Sequence, residues 1–113
     1  MWPRATHRLT ERQRSPQEQI AAEILQTHQT SYGAGASEVI VHLLDDLVVV
    51  LIDGLELTTM ERTLIEGGEN HAVLEQRASF QRAIEPTFSA IIERATGRRV
   101  RTFLSNTDLT ALL

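Results

Sequence analysis

The sequence predicts an α+β protein with one mainly antiparallel sheet of three or four strands and helices packed on one face, in the order α-β-β-α-α-β. Two apolar runs, 39–44 and 47–52, flank the pair Asp45-Asp46, which is typical of a β-hairpin. Apolar residues recur at helical spacing both before and after these runs. A third run, in which apolar and polar residues alternate, lies at 98–104. Neighbouring strands followed by helices indicate segregated layers.

The first helix is predicted from a capping box. Ser15 can cap the helix, Pro16 fits its first position and Glu18 completes the box. A stripe at helical spacing then continues toward Thr30: Ile20, Ala21, Ile24, Leu25, His28. The following loop, 31–35, contains glycines but lacks the Lys-Ser/Thr pair of a phosphate-binding loop. We interpret it as a connector.

The two apolar runs are interpreted as strands because they are rich in β-branched residues and bounded by turn residues. Asp45-Asp46 tolerates the backbone of a two-residue turn, and Asp53-Gly54 ends the second strand. Such a short connection cannot make a parallel crossover, so the pairing is antiparallel. The second run is apolar on both faces, which is typical of a strand covered by helices.

Two helices are predicted after the hairpin. Thr58 to Glu61 repeats the capping-box pattern and opens a short helix, which Gly67-Gly68 interrupts. A long helix is predicted over 69–95, with Thr96-Gly97 as its C-terminal stop. It is expected to continue through Pro86 with a kink, since the apolar period continues across the proline. Its stripe is Val73, Arg77, Phe80, Ile84, Phe88, Ile91, Ala95.

The C-terminal part is predicted to complete the sheet. Residues 98–104 return to alternation, which predicts a third strand, and residues 109–113 either begin a fourth strand or fray. Apolar positions that recur at strand or helix period form the predicted core: Val49, Leu51, Leu64, Phe80, Ile84, Phe88, Ile91, Val100.

Composition limits the class of protein. The chain has 113 residues and a net charge of -4, which suits one globular domain and argues against a general nucleic-acid binder. It contains no cysteine, which excludes disulfides and thiolate sites. The longest apolar run, 47–52, is far shorter than the roughly 20 residues that span a bilayer. Residues 1–14 are predicted to be a flexible basic arm, and residues 15–113 a single domain in the cytoplasm.

Candidate functional residues are few, and no catalytic, cofactor-binding or metal-binding residue is predicted. The densest positive cluster spans a helix end and the next segment: Arg94, Arg98, Arg99, Arg101. It has two interpretations, stabilisation of the helix C-terminus or a face that binds an anion or a partner. Glu69 and His71 lie at a polar junction and are the pair to test for proton transfer. No two histidines have metal-ligand spacing on one helix.

Two segments have distinctive patterns: 57–68 reads LT..ERTL.EGG, and 96–105 reads TGR.V..FLS. With these patterns the chain resembles the MpsC family, which was long described as a domain of unknown function. The family is named for component C of a sodium-translocating membrane-potential-generating system. The resemblance spans roughly residues 16–105. Family members usually continue into an acidic turn and a further apolar strand, whereas SNTDLTALL is short, so the last strand is expected to be affected.

The resemblance implies a soluble, non-catalytic accessory or regulatory protein. Its implied partners are membrane subunits that handle sodium or inorganic carbon, which places it in the cytoplasm or peripherally at the membrane. The alternative is a small regulatory or nucleic-acid- or anion-binding module that uses the face from Arg98 to Arg101. An enzyme that uses His71 has the least support. Because a small sheet leaves two unpaired edges, a homodimer is also predicted.

Overall fold

The computed structural model describes residues 14–33 and 35–108. In chain order these residues form α1 (Pro16–Tyr32), β1 (Glu38–Leu43), β2 (Val48–Asp53), α2 (Thr59–Glu66) and α3 (Asn70–Thr96). The α+β class and the order of these five elements are confirmed. Residues 1–13 of the predicted arm and the predicted fourth strand at 109–113 lie outside the described residues. The domain boundary at residue 15 stays a prediction.

β1 and β2 form the predicted antiparallel hairpin. Val41 pairs with Val50, and the register continues to Leu43 opposite Val48. Beyond that pair the Leu44 backbone N–H donates to the Leu47 carbonyl at 2.8 Å. The turn therefore consists of Asp45-Asp46, as predicted.

The hairpin has one covered face and one exposed face. Val39, Val41 and Leu43 pack against the core, together with the residues that they oppose on β2. α1 contacts both β1 and α3, so the helices cover this face. Ile40 and Leu51 oppose each other on the other face and are exposed.

The prediction of a third strand at 98–104 is wrong. The described residues form a sheet of two strands, and residues 98–104 are not part of it. The segment follows the end of α3, where its backbone donors bind side chains. The Arg98 N–H donates to Thr96 Oγ1 at 3.2 Å, and the Val100 N–H donates to Glu93 Oε2 at 2.8 Å. Val100 and Phe103 pack on the core while Leu104 is 91% exposed, which does not fit a period of two. Within residues 14–33 and 35–108 the predicted sheet of three or four strands is therefore not confirmed.

Among the described residues, the buried apolar side chains come from three of the five elements, α1, β1 and α3: Ile20, Ile24, Val41, Val73, Phe88, Ile91, Ile92. Of the predicted core residues, Phe88 and Ile91 are buried as predicted. Five other predicted members are only half-buried: Val49, Leu64, Phe80, Ile84, Val100. Leu51 was predicted to be buried and is 50% exposed, because it points away from the helices.

Local end signals set the helix boundaries. Both predicted capping boxes form, with Ser15 at the start of α1 and Thr58 at the start of α2. α1 continues to Tyr32, slightly beyond the predicted end near Thr30. α2 and α3 are separate on the two sides of Gly67-Gly68, and α3 is one continuous helix that contains Pro86.

Gly54 ends β2 in a conformation that favours glycine, with φ of 67°. A methyl group there would lie 2.5 Å from Ser37 Cβ and still closer to its Oγ. Gly33 has φ of 80°, but a methyl group would meet nothing within 4 Å. We expect Gly33→Ala to cost about 1–2 kcal/mol through backbone strain, and Gly54→Ala a further 1–3 kcal/mol or so through the clash. Urea unfolding of both variants checks this difference, and equal losses would contradict it.

Candidate functional site

The four arginines of the predicted positive cluster, Arg94, Arg98, Arg99 and Arg101, are named the arginine face here. Two of them bind acidic partners within the fold. Arg94 Nη2 lies 2.9 Å from Glu23 Oε1 of α1, and Arg98 Nη2 lies 2.9 Å from Asp46 Oδ1. Arg98 also donates to the Asp45 carbonyl. These two arginines therefore attach the end of α3 to α1 and to the hairpin turn.

Arg99 and Arg101 have a different environment. Both side chains are exposed. Within residues 14–33 and 35–108 neither forms an ion pair with a carboxylate. Their guanidinium groups remain available to an anion or to an acidic surface of another molecule. Of the arginine face, Arg99 and Arg101 are therefore the residues best placed to bind a partner.

The candidate pair Glu69 and His71 is not brought together. His71 Nε2 lies 2.9 Å from Glu75 Oε1, one helical turn further along α3, and both side chains are largely exposed. Glu69 lies at the N-cap position of α3 and its side chain makes no capping hydrogen bond. The exposed pair of His71 and Glu75 lies on the surface of one helix. Proton transfer by Glu69 and His71 stays a prediction.

A buried ion pair between α2 and α3 was not predicted from the sequence. Arg77 Nε donates to Glu61 Oε2 and Arg77 Nη2 donates to Glu61 Oε1, each at 2.8 Å. The Glu61 side chain is fully buried and that of Arg77 is 5% exposed. This bidentate geometry is the strongest arrangement for an arginine and a carboxylate.

Tyr32 completes this site, which is named the Glu61 network (Tyr32, Glu61, Arg77). The Tyr32 hydroxyl donates to Glu61 Oε2, and the Arg77 guanidinium carbon lies 4.7 Å from the centre of the Tyr32 ring. The Phe80 ring meets Tyr32 edge-on, with 4.7 Å between the ring centres. One end of α1 is thereby held against α2 and α3.

The local sequence explains the position of Glu61. As the third residue of α2 it accepts the Thr58 backbone N–H at 2.9 Å and closes the capping box. Its carboxylate then receives Arg77 as well. Arg77 Nη2 also donates to the Glu56 carbonyl at 2.9 Å, which fixes the loop before α2. The network therefore joins three helices and the loop that leads out of the hairpin.

Protonation states in the Glu61 network are fixed near neutral pH. Burial favours the neutral acid and raises the pKa of Glu61, but hydrogen bonds from Arg77, Tyr32 and the Thr58 backbone outweigh burial and lower it to about 2. Burial, followed by the hydrogen bond to this carboxylate, raises the pKa of Tyr32 to about 12. A general acid or base works best with a pKa near the operating pH. The network is therefore suited to holding elements together.

An open groove of about 1760 Å³ runs beside the hairpin. β2 forms one wall, while α3 and the C-terminal segment form the others. Within the described residues no group of three or more His, Asp or Glu side chains is placed to bind a metal ion. No helix in that part of the chain has both the length and the apolar character needed to cross a bilayer.

The fold and these sites define a small α+β protein. In its described part, a hairpin and three helices carry a buried ion-pair network and an exposed pair of arginines. The chain belongs to the MpsC family, described as the Na+-translocating membrane potential-generating system, whose family model matches residues 12–111. This confirms the resemblance found in the sequence. Neither the curated proteins nor the solved structures include a match to the chain.

Proposed function

We propose that this protein is a non-catalytic accessory or regulatory component of a sodium-translocating membrane-potential-generating system linked to inorganic carbon. The observation that supports it is the family match over residues 12–111. In this proposal the protein lies in the cytoplasm and binds peripherally to membrane subunits that handle sodium or inorganic carbon. The unit that binds them is a homodimer.

The proposed docking surface is the arginine face. Arg99 and Arg101 project from the segment after α3 without an ion pair inside the described fold, and Arg98 places this segment beside the hairpin turn. An acidic cytoplasmic loop of a membrane subunit would supply the complementary charge. Pairs at the rim of an interface mainly affect the rate of association and its salt dependence.

Co-sedimentation with membranes that contain the transport subunits tests this docking. We expect Arg99→Glu/Arg101→Glu to weaken binding by at least about tenfold, because charge reversal replaces attraction with repulsion. The control is Arg62→Glu/Arg82→Glu, which changes the net charge equally at two exposed helix positions. Equal binding of both variants and of the wild type would contradict docking through the arginine face.

The alternative function is a small regulatory module that binds nucleic acid or another anion through Arg98 to Arg101. The exposure of Arg99 and Arg101 favours it, and the net charge of -4 opposes it. The same two variants separate the candidates. Binding to nucleic acid that falls steeply with salt and disappears in Arg99→Glu/Arg101→Glu, with no binding to the membranes, would support the alternative.

A further inference from the structure

The outer edge of β2 has no partner strand in the part of the chain that the structure describes. The sheet there has the order β1-β2, so the backbone groups on one side of Val48–Asp53 are available for pairing. Natural edge strands are usually protected by lysine, proline, bulges or a cover. β2 contains none of these residues, and its one charge, Asp53, is at its end.

The groove beside β2 is large and open enough to hold an extended segment of a polypeptide chain. Ligand pockets for small molecules measure about 300–1,000 Å³ and are mostly enclosed, whereas this groove is open and measures about 1760 Å³. Exposed apolar side chains line it on both sides, including Leu51 at 50% and Leu104 at 91% exposed. A strand added to β2 would lie in this groove and cover them.

The sequence of β2 is complementary to itself. In an antiparallel pair, directly opposed residues point to the same face. A two-fold axis normal to the sheet therefore has to lie midway between one residue of the strand and the same residue of the second copy. With the axis at Val50, Val48 opposes Ile52 of the second copy and Val49 opposes its Leu51. Each of these pairs is apolar, and no like charges meet. The helix-covered faces of the two hairpins then lie on the same side.

We propose that β2 pairs with β2 of a second copy, antiparallel and centred on Val50, to give a four-stranded sheet across the two-fold axis. This pairing satisfies the open backbone edge and covers Leu51. A strand of this length is only about 20 Å long, and stable interfaces bury about 1,200–2,000 Å². The groove walls therefore contribute to the contact in addition to the backbone. The inference rests on the open edge of β2 and on the groove beside it, and it specifies the interface of the homodimer in the proposed function. Arg99 and Arg101 also line this groove, so the strand pairing and the proposed docking share part of one surface.

Single cysteines test the register, because the chain has no cysteine of its own. Directly opposed residues have Cα atoms about 4.5–5.5 Å apart, within the range of a disulfide. We expect Val50→Cys to form a disulfide-linked dimer under mild oxidation. Leu51→Cys is the matched control: it is more exposed, but its Cα lies about 7–8 Å from the same residue of the second copy. Faster linkage of Leu51→Cys would overturn this register.

Sedimentation velocity tests the association itself. We expect a dimer at micromolar concentration, and at least about tenfold weaker association for Leu51→Lys, since a lysine opposes edge pairing. Leu51 is half-exposed, so the variant keeps its fold, which circular dichroism verifies. Leu74→Lys, at an exposed position of α3, is expected to dimerise like the wild type. A monomeric wild type, or equal dimerisation of Leu51→Lys, would overturn the proposal.

Discussion

Arg77→Met is expected to destabilise the protein by about 3–5 kcal/mol, because it leaves the Glu61 carboxylate buried without its cation. The guanidinium makes two hydrogen bonds of 2.8 Å to Glu61 and one of 2.9 Å to the Glu56 carbonyl. All three are lost, while methionine keeps much of the side-chain volume. Urea unfolding of the variant measures the loss in free energy of unfolding.

The exposed ion pair supplies a matched control. Arg94 and Glu23 also lie 2.9 Å apart, but the Arg94 side chain is 61% exposed. Arg94→Met is therefore expected to cost no more than about 1 kcal/mol. The double variant Glu61→Leu/Arg77→Met is expected to recover much of the loss, since it leaves no buried charge unpaired. Equal costs for Arg77→Met and Arg94→Met would contradict a buried network.

The pKa of Glu61 adds a dependence on pH. Its folded pKa, lowered to about 2, lies below the value of about 4.3 in an unfolded chain. Its contribution to stability is therefore fully present above about pH 5 and is lost as the pH falls toward 2. In Glu61→Gln the decline of stability over this range should be shallower. Urea titrations at several pH values make the comparison.

Local signals in the sequence predicted the elements well. Asp45-Asp46 predicted the hairpin turn, and the two capping boxes predicted where α1 and α2 begin. Each signal acts between residues a few positions apart, so the interaction is visible in the sequence itself. α3 was likewise predicted from local spacing, because its apolar residues keep the helical period on both sides of Pro86.

Contacts that depend on three-dimensional packing were not predicted. Alternation at 98–104 indicates a strand only if a neighbouring strand accepts the backbone hydrogen bonds of this segment. Here the Val100 N–H donates to the Glu93 side chain of α3 instead. Leu51 was expected in the core because β2 is apolar on both faces, but the described helices cover only one face.

The Glu61 network had one signal that could have revealed it. Arg77 falls within the apolar stripe of α3, and an arginine is almost never fully buried without a partner. That position therefore requires a buried acid. Glu61 was recognised only as part of a capping box, and Tyr32 only as part of a connector. The apolar stripe shows that Arg77 requires an acidic partner. Which carboxylate pairs with Arg77 depends on how α2 packs on α3.

The apolar core depends on Phe88, and Phe88→Ala is expected to cost about 3–5 kcal/mol. Phe88 is 8% exposed and belongs to one cluster with Ile20, Ile24 and Val41, so its ring contacts the region where α1, β1 and α3 meet. Small domains have a free energy of unfolding of about 5–15 kcal/mol. The substitution therefore removes a large part of the total.

Leu74→Ala is the control for this substitution, because Leu74 lies on the same helix and is 42% exposed. Its expected cost is below about 1 kcal/mol, since truncation there removes little buried surface and leaves no cavity. Thermal and urea unfolding of both variants give the comparison. An unchanged unfolding midpoint for Phe88→Ala would contradict the burial of its ring. A loss for Leu74→Ala as large as that for Phe88→Ala would contradict the exposed position of Leu74 on α3.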